Sequence, residues 1–279
     1  MTNNPQFLIR KASGESELFD VSKLIRSLQK AGADSQKAES IANDISSSLY
    51  EGISTKKIYG MAFRMLRKHD HNNALLYKLK QSLFELGPTG YPFEQFIGEI
   101  YKRRGFSVEV AQILEGYSIT HEMDVIATKN REQLFIECKY GNDQGKTISI
   151  QVPLYVRSRV NDIVKKRAEM PEYANFTFFA GLACNTRFSD DSIQYSKCNG
   201  ISLLGWDYPQ GNGLKEIMEQ EKIFPITVLE QLTGQQKTLL MEQGIVTCAQ
   251  LFSNMALLQP FSISQRRMVN IERELEKIL

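Results

Sequence analysis

Cysteine is scarce: Cys138, Cys184, Cys198 and Cys248 are the only four in 279 residues, and no two form a CxxC pair. That pattern argues against a paired-cysteine zinc site and against a disulfide framework, so a reduced, cytoplasmic setting is expected. A charge excess of one sign is missing as well. Lysine and arginine outnumber aspartate and glutamate by 34 to 32, so affinity for a polyanion has to come from local basic patches. No apolar run approaches the roughly 20 residues of a bilayer span. The opening stretch "MTNNPQFLIRKASGE" carries no apolar h-region. No membrane association is expected. A GxxxxGK[ST] loop is also missing, so nucleotide hydrolysis by the N-terminal segment is not expected.

What is present is an ordinary folded composition, 42% apolar and 24% charged. Three segments with different patterning follow one another. In the first, "QFLIRKASGESELFD" reads as a strand, a Gly-centred turn and a second strand. "SKLIRSLQKAG" then opens a helix with Ser22 as N-cap and stops it at Gly32, and the spacing predicts further helices over 34–50, 54–68 and 73–85. "ELGPTGYP" marks a boundary. "PFEQFIGEIYKRRGF" begins the second segment as an amphipathic helix burying Phe93, Phe96, Ile97, Ile100 and Tyr101. Strands are predicted over 106–113, 123–128, 134–138 and 148–152, then a helix bearing Arg157, Arg159, Lys165, Lys166 and Arg167. "NFTFFAGLA" and "GISLLGW" add two apolar strands, and "DYPQGNG" is a second boundary. The third segment is a small helical unit turning at Gly244. The expected division is 1–88, 89–212 and 222–279, with an α/β core of mixed sheet flanked by helices and an all-helical tail.

The chemistry concentrates in "HEMDVIATKNREQLFIECKYG". Asp124 opens one apolar strand, and Glu137 and Lys139 stand two apart on the next, hence on one face. Acids and a lysine on a sheet face are costly unless something pairs them, a cation or a substrate phosphate. Converging carboxylates suit magnesium, which can generate hydroxide and neutralise charge on a phosphate. Lysine can stabilise that charge or place the attacking water. "HDH" at His69–His71 also looks like a metal motif, but residues two apart on a helix do not share a face, and a solvated loop is expected there.

These residues resemble the PD-(D/E)XK nuclease superfamily over 91–206, in particular its Mrr-type restriction endonuclease and Holliday-junction-resolvase branches. "EMDVIA" is similar to the motif strand with its Asp, here Asp124, although Met123 stands where a proline is usual. "FIECKYG" is similar to the Glu-x-Lys strand, giving Glu137 and Lys139. "PFEQFIGEIYKRRGFSV" is similar to the first helix of that fold and supplies Glu94, with Glu99 as a second acid. Gln151 falls where related nucleases often keep a glutamine. The resemblance implies a restriction-endonuclease-like fold and a Mg2+-dependent DNA endonuclease. Asp124, Glu137 and the Cys138 backbone carbonyl would be ligands, and restriction or repair the setting. His121 is expected in a strand-edge loop, with proximity to the site as the alternative. Lys102–Arg104 and Arg157–Arg167 would touch DNA phosphates.

The flanks carry resemblances of their own. "IRKASGESELFDVSKLIRSL" and "GISTKKIYGMAFRML" resemble the ATP-cone, a nucleotide-binding regulatory domain. Arg10, Lys11 and Lys23 match its basic positions, so ATP or dATP is the implied effector, acting on conformation or on a possible homo-oligomer. "LEQLTGQQKTLLMEQGIVTCAQLF" resembles a helix-hairpin-helix-like unit, implying DNA contact by Gln235, Gln236, Lys237, Arg266 and Arg267. The competing expectation is a non-catalytic, nucleotide-sensing DNA-binding regulator.

Overall fold

The computed structural model describes residues 7–10, 15–30, 33–69, 71–143 and 145–279. The chain divides into two compact units, one built on residues up to 81 and the other on 82–142 and 146–277. In the first, β1 (Leu8–Arg10) pairs antiparallel with β2 (Ser16–Leu18). Helices α1 (Val21–Lys30), α2 (Ser35–Ser46) and α3 (Thr55–His69) follow. Leu28, Ile41, Ile45, Ile53 and Leu66 form the middle of their shared core. The sequence placed the cap of α1 on Ser22. Instead Asp20 Oδ1 accepts from Ser22 N at 2.9 Å, because a carboxylate two residues earlier reaches the orphan amides of the first turn. Ser54 caps α3 through the Lys57 amide. The Gly turn, Lys11 and Gly32 lie outside the described residues, as do Asp70 and the side chains of His69 and His71. Helix α4 (His71–Phe84) carries the chain onward.

The second unit starts with α5 (Tyr91–Arg103), which has Pro92 in its first turn and ends at Gly105, φ +81°. A five-stranded sheet follows in the order β3 (Ser107–Glu115), β4 (Thr120–Lys129), β5 (Glu132–Lys139), β7 (Thr177–Cys184), β9 (Ile201–Leu204). The first three strands are antiparallel, joined between β4 and β5 by a two-residue turn with positive φ at Asn130 and Arg131. β7 and β9 then add parallel strands through crossover helices, α6 (Gln151–Arg167) and α7 (Asp190–Cys198). Between them a short pair, β6 (Thr147–Ile148) with β8 (Arg187–Phe188), lies outside the main sheet.

Register divides the sheet into two faces. Ile126, Phe135, Ala180 and Leu182 pack with Val156, Val160 and Ile163 of α6. Gly98 of α5 lies so close to Val108 and Val110 that a methyl there would sit 3.1 Å from Val110. The strand expected over 148–152 is a correction. β6 stops at Ile148 and α6 begins at Gln151, because Pro153 lacks the amide a strand would need and fits the first helical turn.

The tail belongs to the same unit as the sheet: α8 (Leu214–Gln220), α9 (Gly234–Glu242), α10 (Cys248–Ser253) and α11 (Gln265–Ile278). Gly244 turns the chain between α9 and α10 at φ +79°. Thr233 with Gln236 and Thr247 with Gln250 form capping boxes at the starts of α9 and α10. The buried Thr227 hydroxyl donates to the Ser82 carbonyl at 2.6 Å, tying the tail to the end of α4.

Candidate functional site

The regular β4–β5 ladder runs from Lys129↔Glu132 to Val125↔Ile136 and stops there. One residue further, Asp124 sends its side chain across the gap, and Oδ2 accepts the Cys138 amide at 2.6 Å. A carboxylate thus replaces a strand carbonyl at the point where the two strands part. Cys138 is flanked by Glu137 and Lys139, so this bond brings the three sequence-predicted side chains to one end of the sheet.

Glu137 is 3% exposed, and both of its oxygens are engaged. Lys139 Nζ donates to Oε1 at 2.5 Å, and Arg159 Nη1 of α6 donates to Oε2 at 2.6 Å. Arg159 Nη2 also donates to the Glu122 carbonyl on β4. Glu94, in the first turn of α5, completes the group electrostatically. Burial, then the charges of Asp124, Glu122 and Glu137, push its carboxyl up to about 7. Burial and the charge of Glu137 raise Asp124 to about 6 against the opposing Cys138 amide. Burial lowers the Lys139 ammonium, but the hydrogen bond and charge of Glu137 outweigh it and leave the group above its ordinary value. Three acids and two cations therefore crowd one partly dry corner, and two of the acids are destabilised as anions.

Their donor chemistry suits a hard divalent cation: carboxylate oxygens whose negative charge the local lysine and arginine do not fully offset. Among the described residues, no three His, Cys, Asp or Glu side chains are grouped to hold a metal between them. Asp124 and Glu137 stand as a pair, with the Cys138 carbonyl as the backbone group between the two Glu-x-Lys residues. The Cys138 thiol is buried and pushed well above its ordinary value by that burial, so it is inert as a thiolate.

Other sequence-predicted residues fall elsewhere. Gln151 is exposed at the first turn of α6 rather than in a strand. Glu99 pairs with Lys102 at 2.7 Å and is not among the acids acting on Glu94 or Asp124. His121 is not in a loop. It lies within β4, 9% exposed, with Nε2 2.8 Å from Asp162 Oδ2 of α6. Asp162 also accepts from the Ser118 and Ile119 amides, so it pins the β3–β4 turn onto the helix.

Three members of the basic runs, Arg104, Arg159 and Arg167, are committed inside the fold, while Lys102, Arg103 and Lys165 are exposed. Arg104 donates twice to Glu221 Oε1, at 2.8 and 2.7 Å, and Arg167 is buried on Gln133 beneath Phe135 and Tyr173. Lys165 sits 3.4 Å over the Tyr117 ring. In the tail, Lys237 donates to the Thr227 carbonyl at 2.7 Å, while Arg267 bonds Gln231 and Gln236. Only Gln235 and Arg266 of the five tail residues are exposed at the surface. Arg159 was legible only as one charge in a basic helix; a hint lay in its position beside the buried stripe of Val156, Val160 and Ile163.

In the first unit, Arg10 is exposed on β1, and its amide bonds the Ile53 carbonyl. Lys23 lies 3.7 Å from Glu17. No helix of the described residues is long and apolar enough to cross a membrane.

Comparison with known families finds an ATP-cone domain over residues 7–80 and an AF1548-like C-terminal domain over 224–279. The chain is also similar to individual proteins. An uncharacterized protein of Archaeoglobus fulgidus is 26% identical over 184 residues, covering 66% of this chain and 99% of its own. The crystal structure of AF1548, a protein of unknown function, superimposes with a TM-score of 0.56 at 26% identity, covering 68% of this chain and 98% of that one.

Proposed function

We propose that the chain is a metal-dependent endodeoxyribonuclease of the PD-(D/E)XK type, controlled by a nucleotide bound to its cone. The observation that carries this reading is the junction of Asp124, Glu137 and Lys139 at the parting of β4 and β5, with Glu94 reaching the same corner from α5. An antiparallel hairpin followed by parallel strands, with a helix before and a crossover helix after, is the setting that the resemblance implies for such a site.

Asp124 and Glu137, with the Cys138 carbonyl, are the residues that would hold Mg2+; when bound, it supplies charge neutralisation at a phosphate and an acidified water. Asp124 is fixed by the Cys138 amide, so its second oxygen is oriented without further ordering. Lys139 stays protonated beside Glu137 and can donate to a phosphoryl oxygen or hold the attacking water. Glu94, whose carboxyl burial and neighbouring acids push up to about 7, can in its ionised form accept a proton from that water. Hydrolysis adds water across one P–O bond of the DNA backbone, leaving a phosphate on one side and a hydroxyl on the other.

A second reading, a nucleotide-sensing DNA-binding regulator without catalysis, draws on a particular feature: both oxygens of Glu137 are already satisfied by cations. Plasmid incubation with Mg2+ separates the two. Wild type nicks the DNA and Lys139→Ala does not, if the nuclease reading holds. Retention of plasmid in a gel shift with no nicking favours the regulator.

A further inference from the structure

Arg159 occupies a position that the proposed chemistry leaves unexplained. It bridges two strands, donating to Glu137 Oε2 at 2.6 Å and to the Glu122 carbonyl, and its guanidinium stacks 4.8 Å over the Tyr155 ring. Its side chain is 12% exposed, yet Nε is buried without any acceptor. An arginine that leaves a buried donor unused is not in a fully satisfied end state, since such a donor forfeits its desolvation cost. Beside it lies a groove of about 650 Å³, lined by His121, Glu122, Tyr155, Arg159, Asp162 and Lys165 among others, with Asp162 already engaged by His121. The guanidinium therefore has room on one side and an anionic partner on the other.

Arg159 on Oε2 competes with a divalent cation for the charge and lone pairs of Glu137. Lys139 occupies the other oxygen and belongs to the same strand two residues on, so it remains close whatever Glu137 binds. Arg159 sits on a separate element, at the edge of the groove, and is the partner that can leave.

We propose that Arg159 is an exchangeable counter-ion: it neutralises Glu137 while no divalent cation is bound, and turns into the adjoining groove to grip a DNA phosphate once a cation takes its place. The inference rests on the nuclease reading and deepens it, because it couples cation binding to substrate binding through one side chain. Guanidinium suits this task, being permanently charged and able to meet either a carboxylate or a phosphate with a two-pronged fork. The coupling is reciprocal: a cation frees Arg159 for DNA, and DNA that captures Arg159 vacates Glu137 for the cation.

Mg2+ titrated into the full chain by calorimetry, without DNA, tests the exchange, with wild type, Arg159→Gln, Arg159→Lys and Asp124→Ala compared at one pH. Thermal unfolding confirms that each variant is folded. Removing the competitor is expected to tighten Mg2+ binding by Arg159→Gln about three- to tenfold, with Arg159→Lys in between. Binding of short duplex DNA in Ca2+ by the same Arg159→Gln is expected to weaken about tenfold. Opposite movement of the two affinities is expected, and the signature of exchange is that Ca2+ tightens duplex binding to wild type but not to Arg159→Gln, which a fixed positive charge would not produce. Arg159→Gln with unchanged or weaker Mg2+ affinity overturns the exchange while leaving the nuclease reading standing. Wild type that binds Mg2+ no better than Asp124→Ala overturns both.

Discussion

Glu94 and Asp124 are the residues whose protonation reports on the cluster. Both are carboxyls held above their ordinary range in the fold, to about 7 and about 6, Glu94 by burial and the charges of Asp124, Glu122 and Glu137, Asp124 by burial and the charge of Glu137. In the unfolded chain they would lose their protons nearer pH 4. The cation-free folded state therefore gains protons relative to the unfolded one in the window from about 4 to 7, and its stability falls as pH rises through that window. Cation binding requires the ionised forms, so the linkage reverses for the complex. Mg2+ affinity is expected to fall as pH drops from 7.5 to 5.5, approaching about tenfold per pH unit for each proton displaced. In Glu94→Gln one of the two raised carboxyls no longer titrates, so that fall is expected to be shallower. Calorimetric titration at four pH values checks both. A flat profile in wild type would show that the acids do not bind the ion.

The elements show how far patterning alone reaches. Alternation in "DVIA" and "LFIECK" and the Gly-bounded runs placed β3, β4, β5, β7 and β9 correctly to within a few residues, because strands between two helical layers must be apolar along their length. The Glu-x-Lys spacing likewise put Glu137 and Lys139 on one face. Long-range partners were not legible. Nothing local ties Arg159 to Glu137 twenty-two positions earlier, or His121 to Asp162 forty-one positions later. Charged side chains on a helix read as solvated until the fold supplies a buried partner. The same limit hid the roles of Lys237 and Arg267, both spent on tail carbonyls instead of remaining available to DNA.

Two substitutions test these packed connections. Glu274 of α11 is buried, and its carboxylate accepts from the Glu230 and Gln231 amides at 2.8 and 3.2 Å. Glu274→Ala is expected to destabilise the tail by about 1–3 kcal/mol, since two partly buried amides lose their acceptor. Chemical denaturation measures it, and a loss below about 0.5 kcal/mol would contradict the clasp. Phe135 is fully buried between α6 and the aromatic cluster of Tyr173 and Phe178. Phe135→Ala is expected to cost about 3–5 kcal/mol by the same measurement.

Across the whole molecule, the cone carries the expected regulation. Arg10 and Lys23 display positive charge on the first unit, with Glu17 and Asp20 as acids beside Lys23. A nucleotide binding only the folded cone is expected to raise its unfolding midpoint, by about 2.7 kcal/mol of stabilisation at a concentration a hundredfold above Kd. Arg10→Ala and Lys23→Ala are expected to weaken that shift for ATP and dATP alike. A midpoint that ignores both nucleotides would remove the cone from the account.

The most direct measurement is cleavage of supercoiled plasmid by the full chain in Mg2+, beside Asp124→Ala and Glu137→Gln. The expected result is a nicked or linear product from wild type and a rate lower by about 10²–10³ or more in either variant. Equal cleavage by all three, or none by any under conditions where wild type binds Mg2+ and DNA, would contradict hydrolysis at the parting of β4 and β5.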